Sequence, residues 1–409
     1  MKSKPKGPLP IFGYWKYYDD SYDWNDSDES LSNKLLRPDL NKSRVKLQEG
    51  GMSEAEADLY VRSGFVYESF SKQIIDRYYG GALLSSDSRT RFSLEEFCKR
   101  EWRAEKRVQV RSAESWSDVQ RIVDDWRSTC PKRLLFRGQP ENYLVPREVH
   151  NPLFLVEGVG EISLIFSLWR RMLARNPNGF VWFKNLLDLE WLKVLDSVFD
   201  LKEIERRKQA VAGENLAFYN WFDFEECGDP VLEGYAKCRL DLMMEGRFNL
   251  AGLLSTLLQH YGLYSPMLDL TESLDTAIFF ASHQFHRTGN ECTYEFVGTN
   301  SRKSVIYVFR ENREMHDYER NESILQKLNP LRPIHQQCVV CTSSPYALNL
   351  PLDFLWGVIL LEFDSHVRGS AATVDDLFPT DAQDAFLRGL KENSFAKPHL
   401  TDFAPLTKS

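Results

Sequence analysis

The stretch from Leu254 to Phe285 constrains the fold more than any other part of the chain, because two apolar helical patterns flank a sharp break within it. Leucines and Tyr261 recur at the spacing of a buried helix face as far as Gly262, and Pro266 cannot continue that helix. A short strand through Asp269 follows, after which apolar residues return to helical spacing. The pattern therefore predicts helix, break, strand and helix, in that order.

Polar side chains are concentrated where these predicted elements meet, at Gln259, His260, Asp269, Thr271 and Glu272. Loops held by a rigid scaffold often carry function, so this junction is a candidate binding or catalytic site. The alternative is structural: His260 is then a hydrogen-bonded residue at the core edge, and Asp269, Thr271 or Ser273 serve as caps. The sequence leaves both interpretations open.

Several separated motifs stand out along the chain: Phe136-Arg137-Gly138-Gln139, Leu144-Val145-Pro146-Arg147, Gln259-His260-Tyr261-Gly262, Leu268-Asp269, Gln336-Gln337 and Leu377-Phe378-Pro379. Together they resemble the signatures of the FRG domain family, which is named after a Phe-Arg-Gly sequence. The resemblance spans about Val110 to Gly389. The chain departs from the family where a central Arg and a Trp are replaced, and where Cys338 stands at a position usually occupied by Gly.

The order of the polar motifs is similar to that of ADP-ribosyltransferases of the Arg–Ser–Glu type. This resemblance implies that Arg137 holds a phosphate or ribose of NAD, and that Thr271 and Ser273 shape the nicotinamide pocket. Gln336 or Gln337 stands where those enzymes use a late acidic residue. A glutamine lacks the negative charge that stabilises an oxocarbenium-like centre, but it can orient a hydroxyl group.

We therefore expect a site with two groups of residues. The catalytic candidates are Arg137, His260, Thr271, Gln336 and Gln337, and the ligand-binding candidates are Phe136, Gly138, Gln139, Gln259, Tyr261, Asp269 and Ser273. NAD is the expected cofactor, and no metal is expected because no His/Cys cluster has metal-ligand spacing. An alternative role for Arg137 is a structural ion pair with a carboxylate such as Asp269. The lone CxxC at Cys338–Cys341 is flanked by β-branched residues and predicts a buried strand rather than zinc or redox chemistry.

Two classes of function follow from these motifs. The first is an intracellular FRG-domain enzyme that transfers ADP-ribose or hydrolyses NAD, as a toxin or a phage-defence effector. The second is a non-catalytic module of the same fold that binds a nucleotide, or a protein partner through its acidic, aromatic N-terminal arm. Phosphodiester cleavage by His260 with Arg137 is a weaker alternative, because no motif places a second catalytic histidine.

The composition limits the binding partners and the cellular compartment that we expect for the protein. The net charge of −8 argues against a broad nucleic-acid surface, although a local basic groove for a nucleic-acid substrate stays compatible with it. No apolar run approaches the roughly 18 residues of a membrane span. An odd number of cysteines, 7 in a long chain, is typical of free thiols in the cytoplasm.

The predicted fold class is α+β, with a small mixed or antiparallel sheet, flanking helices and a helical N-terminal extension. Short β-rich runs predict strands at Leu134–Phe136, Val305–Phe309, Val339–Thr342 and Val358–Leu361. We expect an arm and helical extension in residues 1–109, and an FRG-like domain in residues 110–409. A helical insertion is expected at about 150–250, with its first helix from Glu161 to Ala174. Further helix starts are predicted at Ser53, Ser93 and Ser115.

Overall fold

The structure is a computed structural model that describes residues 40–68, 73–76, 81–82, 97–99, 108–152, 154–164, 200–243, 259–262, 268–288, 291–299, 303–312, 315–317, 329–341, 354–392, 397 and 400–403. The helices within these ranges are α1 (Leu40–Glu49), α2 (Glu54–Arg62), α3 (Trp116–Thr129), α4 (Leu201–Ala212), α5 (Pro230–Met243), α6 (Leu274–Ser282), α7 (Leu331–His335), α8 (Val374–Leu377) and α9 (Ala385–Glu392).

The strands in the same ranges are β1 (Phe65–Glu68), β2 (Gln73–Asp76), β3 (Gly81–Ala82), β4 (Gln109–Ala113), β5 (Leu134–Gln139), β6 (Leu155–Val156), β7 (Gly160–Glu161), β8 (Leu268–Thr271), β9 (His283–Thr288), β10 (Glu291–Phe296), β11 (Val305–Arg310), β12 (Met315–Asp317), β13 (Cys338–Cys341), β14 (Leu355–Leu361) and β15 (Asp402–Phe403). The protein therefore has a mixed α+β fold, which confirms the predicted class.

The chain is divided into two compact units. Unit 1 comprises Met1–Asn185, Thr299–Glu314 and Ser343–His366, and unit 2 comprises Leu186–Gly298, Met315–Thr342 and Val367–Ser409. Each unit is built from separate parts of the chain, because strands that pair in space are distant in sequence. The predicted division into residues 1–109 and 110–409 stays a prediction.

The central strands of unit 1 pair in the order β5-β11-β14-β4, with the first two pairings antiparallel and the last parallel. Val305–Phe309 of β11 is fully buried, as expected for a short β-branched and aromatic run. Helix α3 turns Val119, Ile122, Val123 and Trp126 toward the core. A Cβ atom at Gly357 of β14 would lie 2.4 Å from the Trp126 ring, so only glycine fits there.

The N-terminal part of unit 1 combines α1 and α2 with an antiparallel sheet in the order β1-β2-β3. Ser53 caps α2 through a capping box with Glu56, which confirms the predicted helix start. The sequence predicts helices in this region and does not predict the sheet. Its strands are short, and the sequence between them carries no clear hairpin signal.

In unit 2, three strands pair antiparallel in the order β12-β13-β8. A second group consists of the β9–β10 hairpin, with β15 parallel to β10. Phe279 of α6 packs there against a cluster of buried residues: Cys292, Val374, Leu377, Phe378 and Phe403. Packing against this cluster holds α6 in place within unit 2, together with the end of β8 that leads into α6.

The strand and cap predictions are largely confirmed. Leu134–Phe136, Val305–Phe309, Val339–Cys341 and Val358–Leu361 all lie in strands, and Thr342 lies outside the described residues. Ser115 caps α3 as predicted. At the central stretch, Gly262 has a φ of 105°, β8 is the predicted strand, and Ser273 rather than Thr271 caps α6.

One helix prediction needs correction. Glu161 does not begin a helix: it belongs to β7, which pairs with β6, and Ile162 bridges Leu144. The start of the predicted 150–250 insertion is thus a hairpin, and α4 and α5 lie in its later part. Helix α6 ends at Ser282, because the chain becomes extended at His283 and joins β9.

Other predictions fall on residues outside the described ranges. These are the N-terminal arm, the helix start at Ser93, the first helix of the central stretch up to residue 258, and most of the helix predicted at Glu161–Ala174. None of the helices in the described part of the chain is both long and apolar enough to cross a lipid bilayer.

Candidate functional site

The predicted junction in unit 2 is organised by the antiparallel pairing of β8 and β13. Thr271 is opposite Cys338, and Asp269 is opposite Val340. Because side chains alternate along a strand and paired residues share a face, Asp269, Thr271 and Cys338 lie on one face. Cys341 is paired with Leu268 and points to the other face. The lone CxxC is therefore a buried strand, as predicted, and its two thiols cannot act together.

His260 is added to this face from the turn of helix that ends before Gly262. Its Nε2 atom lies 3.2 Å from Sγ of Cys338 and 4.0 Å from Oδ1 of Asp269. The imidazole and the thiol are buried, and the carboxylate is partly exposed. An imidazole, a thiol and a carboxylate thus meet around one ring nitrogen.

The electrostatics of this cluster favour a neutral imidazole. Burial lowers the pKa of His260, Arg332 acts in the same direction, and Asp269 opposes both. Gln259 donates a hydrogen bond from Nε2 to Oδ2 of Asp269 at 2.6 Å. Oε1 of Gln259 is buried and has no hydrogen-bond partner among the described residues. The side-chain amide of Gln259 therefore orients the carboxylate of Asp269, and its oxygen can still accept a hydrogen bond.

A second set of contacts joins the turn after β8 to the turn before β13. The hydroxyl of Thr271 donates to the carbonyl of Gln336 at 2.7 Å, and the N–H of Glu272 donates to the carbonyl of Gln337 at 3.1 Å. Gln337 has a φ of 47°, which is rare for a residue other than glycine. The two turns therefore form one polar edge at the β8–β13 pair.

Most of the side chains on this edge form hydrogen bonds with other parts of the protein. Gln336 is buried and donates from Nε2 to the carbonyl of Leu377 at 3.0 Å, while Gln337 is exposed. Ser273 accepts the N–H of Thr276 as the cap of α6. Asp275 accepts the backbone N–H groups of two residues, 371 and 372, instead of its own helix end. Gln336 thus supports the fold through its side chain, whereas Gln337 presents its side chain to solvent.

Tyr261 is a core residue rather than a lining residue. It is fully buried, its hydroxyl donates to the carboxylate of Asp384, and Arg332 lies over its ring at 4.9 Å. Asp384 and Arg332 are themselves completely buried. Neither residue was predicted from the sequence, because Asp384 follows Tyr261 by 123 positions and no local motif links them.

Arg137 and its neighbours lie on β5 in unit 1. Arg137 and Gln139 share one face of the strand and are half-buried, whereas Phe136 points to the other face and is fully buried. Burial raises the pKa of Tyr307, the residue opposite Arg137, and the guanidinium opposes that shift. Oε1 of Gln139 is buried without a hydrogen-bond partner within the described ranges. Gly138 is buried and pairs with Ile306.

The predicted site residues are thus divided. The four residues at positions 136–139 belong to unit 1, and the other eight belong to unit 2. Of those in unit 2, Gln259, His260 and Asp269 form one group, and Thr271 with the turn at Gln336 and Gln337 forms a second. Ser273 caps α6, whereas Tyr261 is buried against Asp384. That Arg137 joins them in one pocket stays a prediction.

Comparison with family models, with curated proteins and with solved structures found no match to this chain. The resemblance to the FRG family therefore depends on the motifs alone.

Proposed function

We propose that the protein is a nucleotide-binding module with an ADP-ribosyltransferase-like layout, and that NAD is its first candidate ligand. The observation that carries the proposal is the pair of hydrogen bonds that joins Thr271 to Gln336 and Glu272 to Gln337. In the Arg–Ser–Glu arrangement, the Ser/Thr turn and the late polar residue act on the same ligand, so they must be neighbours.

The residues of β5 add a second line of support. The guanidinium of Arg137 offers a planar fork of donors that suits a phosphate. Oε1 of Gln139, on the same strand face, is buried without a hydrogen-bond partner in the described part of the chain. A buried acceptor left without a donor costs about 1–3 kcal/mol. A ligand hydroxyl or amide bound beside Arg137 would remove that cost.

Binding without catalysis is the form of this proposal that the geometry favours. Gln336 stands at the late position, yet its side chain is engaged with the carbonyl of Leu377. It supplies no charge to a ribose in any case. A cytoplasmic location, and a role in toxicity or antiviral defence, belong to the same proposal and follow from cysteine content and family resemblance.

Calorimetry of the full chain with NAD, ADP-ribose and ATP at modest salt tests this function. We expect heat with at least one of the three, and we expect Arg137→Ala to abolish it with little change in melting temperature. Arg133→Ala is the matched control: Arg133 precedes β5 and pairs with Glu311 at 2.9 Å, so its loss should leave binding unchanged. No heat from the folded protein would contradict nucleotide binding and favour a module for protein partners.

A specific observation also favours a second candidate, an enzyme that cleaves NAD. Glu272 follows Thr271 directly, and its N–H bonds to Gln337, so this residue carries a carboxylate at the edge where the late acid is missing. Such a charge could stabilise the oxocarbenium-like centre that forms as the glycosidic bond breaks.

Release of nicotinamide from NAD distinguishes the two candidates. If Glu272 acts as the acid, the wild-type protein releases nicotinamide and Glu272→Gln lowers the rate by at least about 100-fold, the loss typical of one stabilising group. Glu205→Gln, an exposed change on α4, should leave the rate unchanged. NAD binding without nicotinamide release would establish the non-catalytic module.

A further inference from the structure

We propose that His260, Asp269 and Cys338 form a binding site for a divalent transition metal of the Zn²⁺ class. One nitrogen, one oxygen and one sulfur donor atom of these residues all lie within 4.8 Å of one another. The inference goes beyond the proposed function, because it requires no nucleotide and concerns unit 2 alone.

The distances fit one ion with small adjustments. Zn²⁺ bonds of about 2.0–2.3 Å at tetrahedral angles hold neighbouring donor atoms about 3.4–3.6 Å apart. Nε2 of His260 is 3.2 Å from Sγ of Cys338 and 4.0 Å from Oδ1 of Asp269. One edge is thus slightly short and one is longer, and the third, from Sγ of Cys338 to a carboxylate oxygen of Asp269, is at most 4.8 Å. Side-chain rotations that move the Asp269 carboxylate toward the other two donors would bring all three onto a common centre.

The backbone holds the donors on rigid elements. Asp269 and Cys338 lie on the same face of paired strands, and His260 is fixed by its carbonyl, which accepts a hydrogen bond from Arg332 at 3.2 Å. Gln259 holds Oδ2 of Asp269, the carboxylate oxygen other than the one that approaches His260. Partners of this kind orient the ligands of protein metal sites.

The arrangement argues against a catalytic relay of the same three residue types. In a relay, the carboxylate binds one ring nitrogen and the thiol the other. Here Cys338 and Asp269 both approach Nε2 of His260, so their donor atoms converge instead of forming a chain. Cys338 is also only 5% exposed, which leaves a substrate little access to its sulfur.

The donor set indicates the metal and its coordination. A thiolate, an imidazole and a carboxylate suit Zn²⁺, whereas Mg²⁺ and Ca²⁺ prefer oxygen donors alone. Three protein ligands leave the fourth tetrahedral position for water. The proposal departs from the sequence-based expectation of no metal, because His260 and Cys338 are 78 positions apart.

The test uses the tag-free full chain, treated with a chelator and then titrated with Co²⁺ and Zn²⁺ in the absence of nucleotide. We expect the chain to bind one ion. Bound Co²⁺ should give a sulfur-to-cobalt charge-transfer band near the ultraviolet and the visible bands of tetrahedral Co²⁺, and Zn²⁺ should remove these bands by displacing the cobalt. Zn²⁺ should also raise the melting temperature. Folded protein that binds neither ion at micromolar concentration would overturn the proposal.

Three variants locate the site. Cys338→Ala should remove the charge-transfer band and weaken binding by more than about 100-fold, since even the loss of an outer partner costs 10–100-fold. Asp269→Asn, at a less buried position, should keep the band but weaken binding, and it decides the matter if Cys338→Ala does not fold. Cys341→Ser changes the other buried thiol of β13 and should bind normally. A band that survives Cys338→Ala, or disappears only in Cys341→Ser, would exclude this site.

Discussion

Replacing Arg147 with methionine should lower the free energy of unfolding of unit 1 by about 3–5 kcal/mol, because it leaves two buried carboxylates without their cation. The guanidinium donates to Asp76 at 2.7 Å and 3.0 Å, to Glu161 at 2.9 Å, and to the carbonyl of Ser63 at 3.0 Å. The Arg147 and Asp76 side chains are each 2% exposed, and that of Glu161 is fully buried.

The charges in this network are strongly coupled. Burial by itself would lower the pKa of Arg147, but Asp76 and Glu161 outweigh it and raise that pKa above its ordinary value. Arg147 also packs over the ring of Phe65 at 4.5 Å. The network therefore ties β2 and β7, which are far apart in sequence, to the core of the N-terminal part of unit 1.

Urea unfolding followed by circular dichroism measures the loss. Arg44→Met is the surface control, because Arg44 and Asp58 are both substantially exposed and their pairing should matter little. The triple variant Arg147→Met, Asp76→Asn and Glu161→Gln should recover most of the stability, because it removes the uncompensated charge. A triple variant as unstable as the single one would instead assign the loss to packing on Phe65.

Replacing Asp384 with alanine should destabilise unit 2 by about 4 kcal/mol or more, because it deprives several buried donors of one acceptor. The carboxylate is completely buried and receives the hydroxyl of Tyr261. It also accepts the N–H groups of Leu331 at 3.2 Å, Phe386 at 3.0 Å and Leu387 at 3.1 Å. Hydrogen bonds to a charged group contribute about 1.5–3 kcal/mol each.

The consequences of this change reach the candidate site. Asp384 caps α9, holds the start of α7 and positions Tyr261, which directly follows His260. Asp384→Ala should therefore weaken Co²⁺ binding as well as lower the melting temperature. Asp384→Asn keeps an acceptor of similar shape and should lose only part of the stability.

Asp381→Ala is the matched control for this experiment. Asp381 lies three positions earlier and forms an ion pair with Lys391 at 2.9 Å, but its side chain is 44% exposed. Its removal should change the melting temperature little, because exposed ion pairs contribute little. If the two aspartate variants melted alike, the buried carboxylate would not have the role inferred for it.

Much of the local structure was predictable because it depends on neighbouring residues. Ser53 and Ser115 begin helices through hydrogen bonds to backbone groups within the next turn. The apolar stripe of α3 recurs at helical spacing, and the β-branched run of β11 fits a buried strand. Where a prediction was wrong, at Glu161, the residue pairs with β6 in a strand and its carboxylate bonds to the distant Arg147.

The motifs that resemble the FRG family do not give the role of each residue. Arg147, the basic residue after Leu-Val-Pro, was part of a motif and had no role assigned to it. It nevertheless forms a buried ion pair of the kind that was considered for Arg137. Tyr261 and Gln336, expected at a ligand, are buried and bonded within the fold. A motif specifies the types and the order of residues, whereas the role of a residue depends on which groups its side chain contacts in the folded protein.

The sequence by itself determined the α+β class, the strands β5, β8, β11, β13 and β14, several helix caps, and the central stretch as the place where polar residues concentrate. Only the tertiary structure decided which of them meet. It brings Cys338 to His260 across 78 positions, and Asp384 to Tyr261 across 123. Periodicity and capping depend on residues within a turn or two, whereas these contacts arise when β8 pairs with β13 and distant segments share one core.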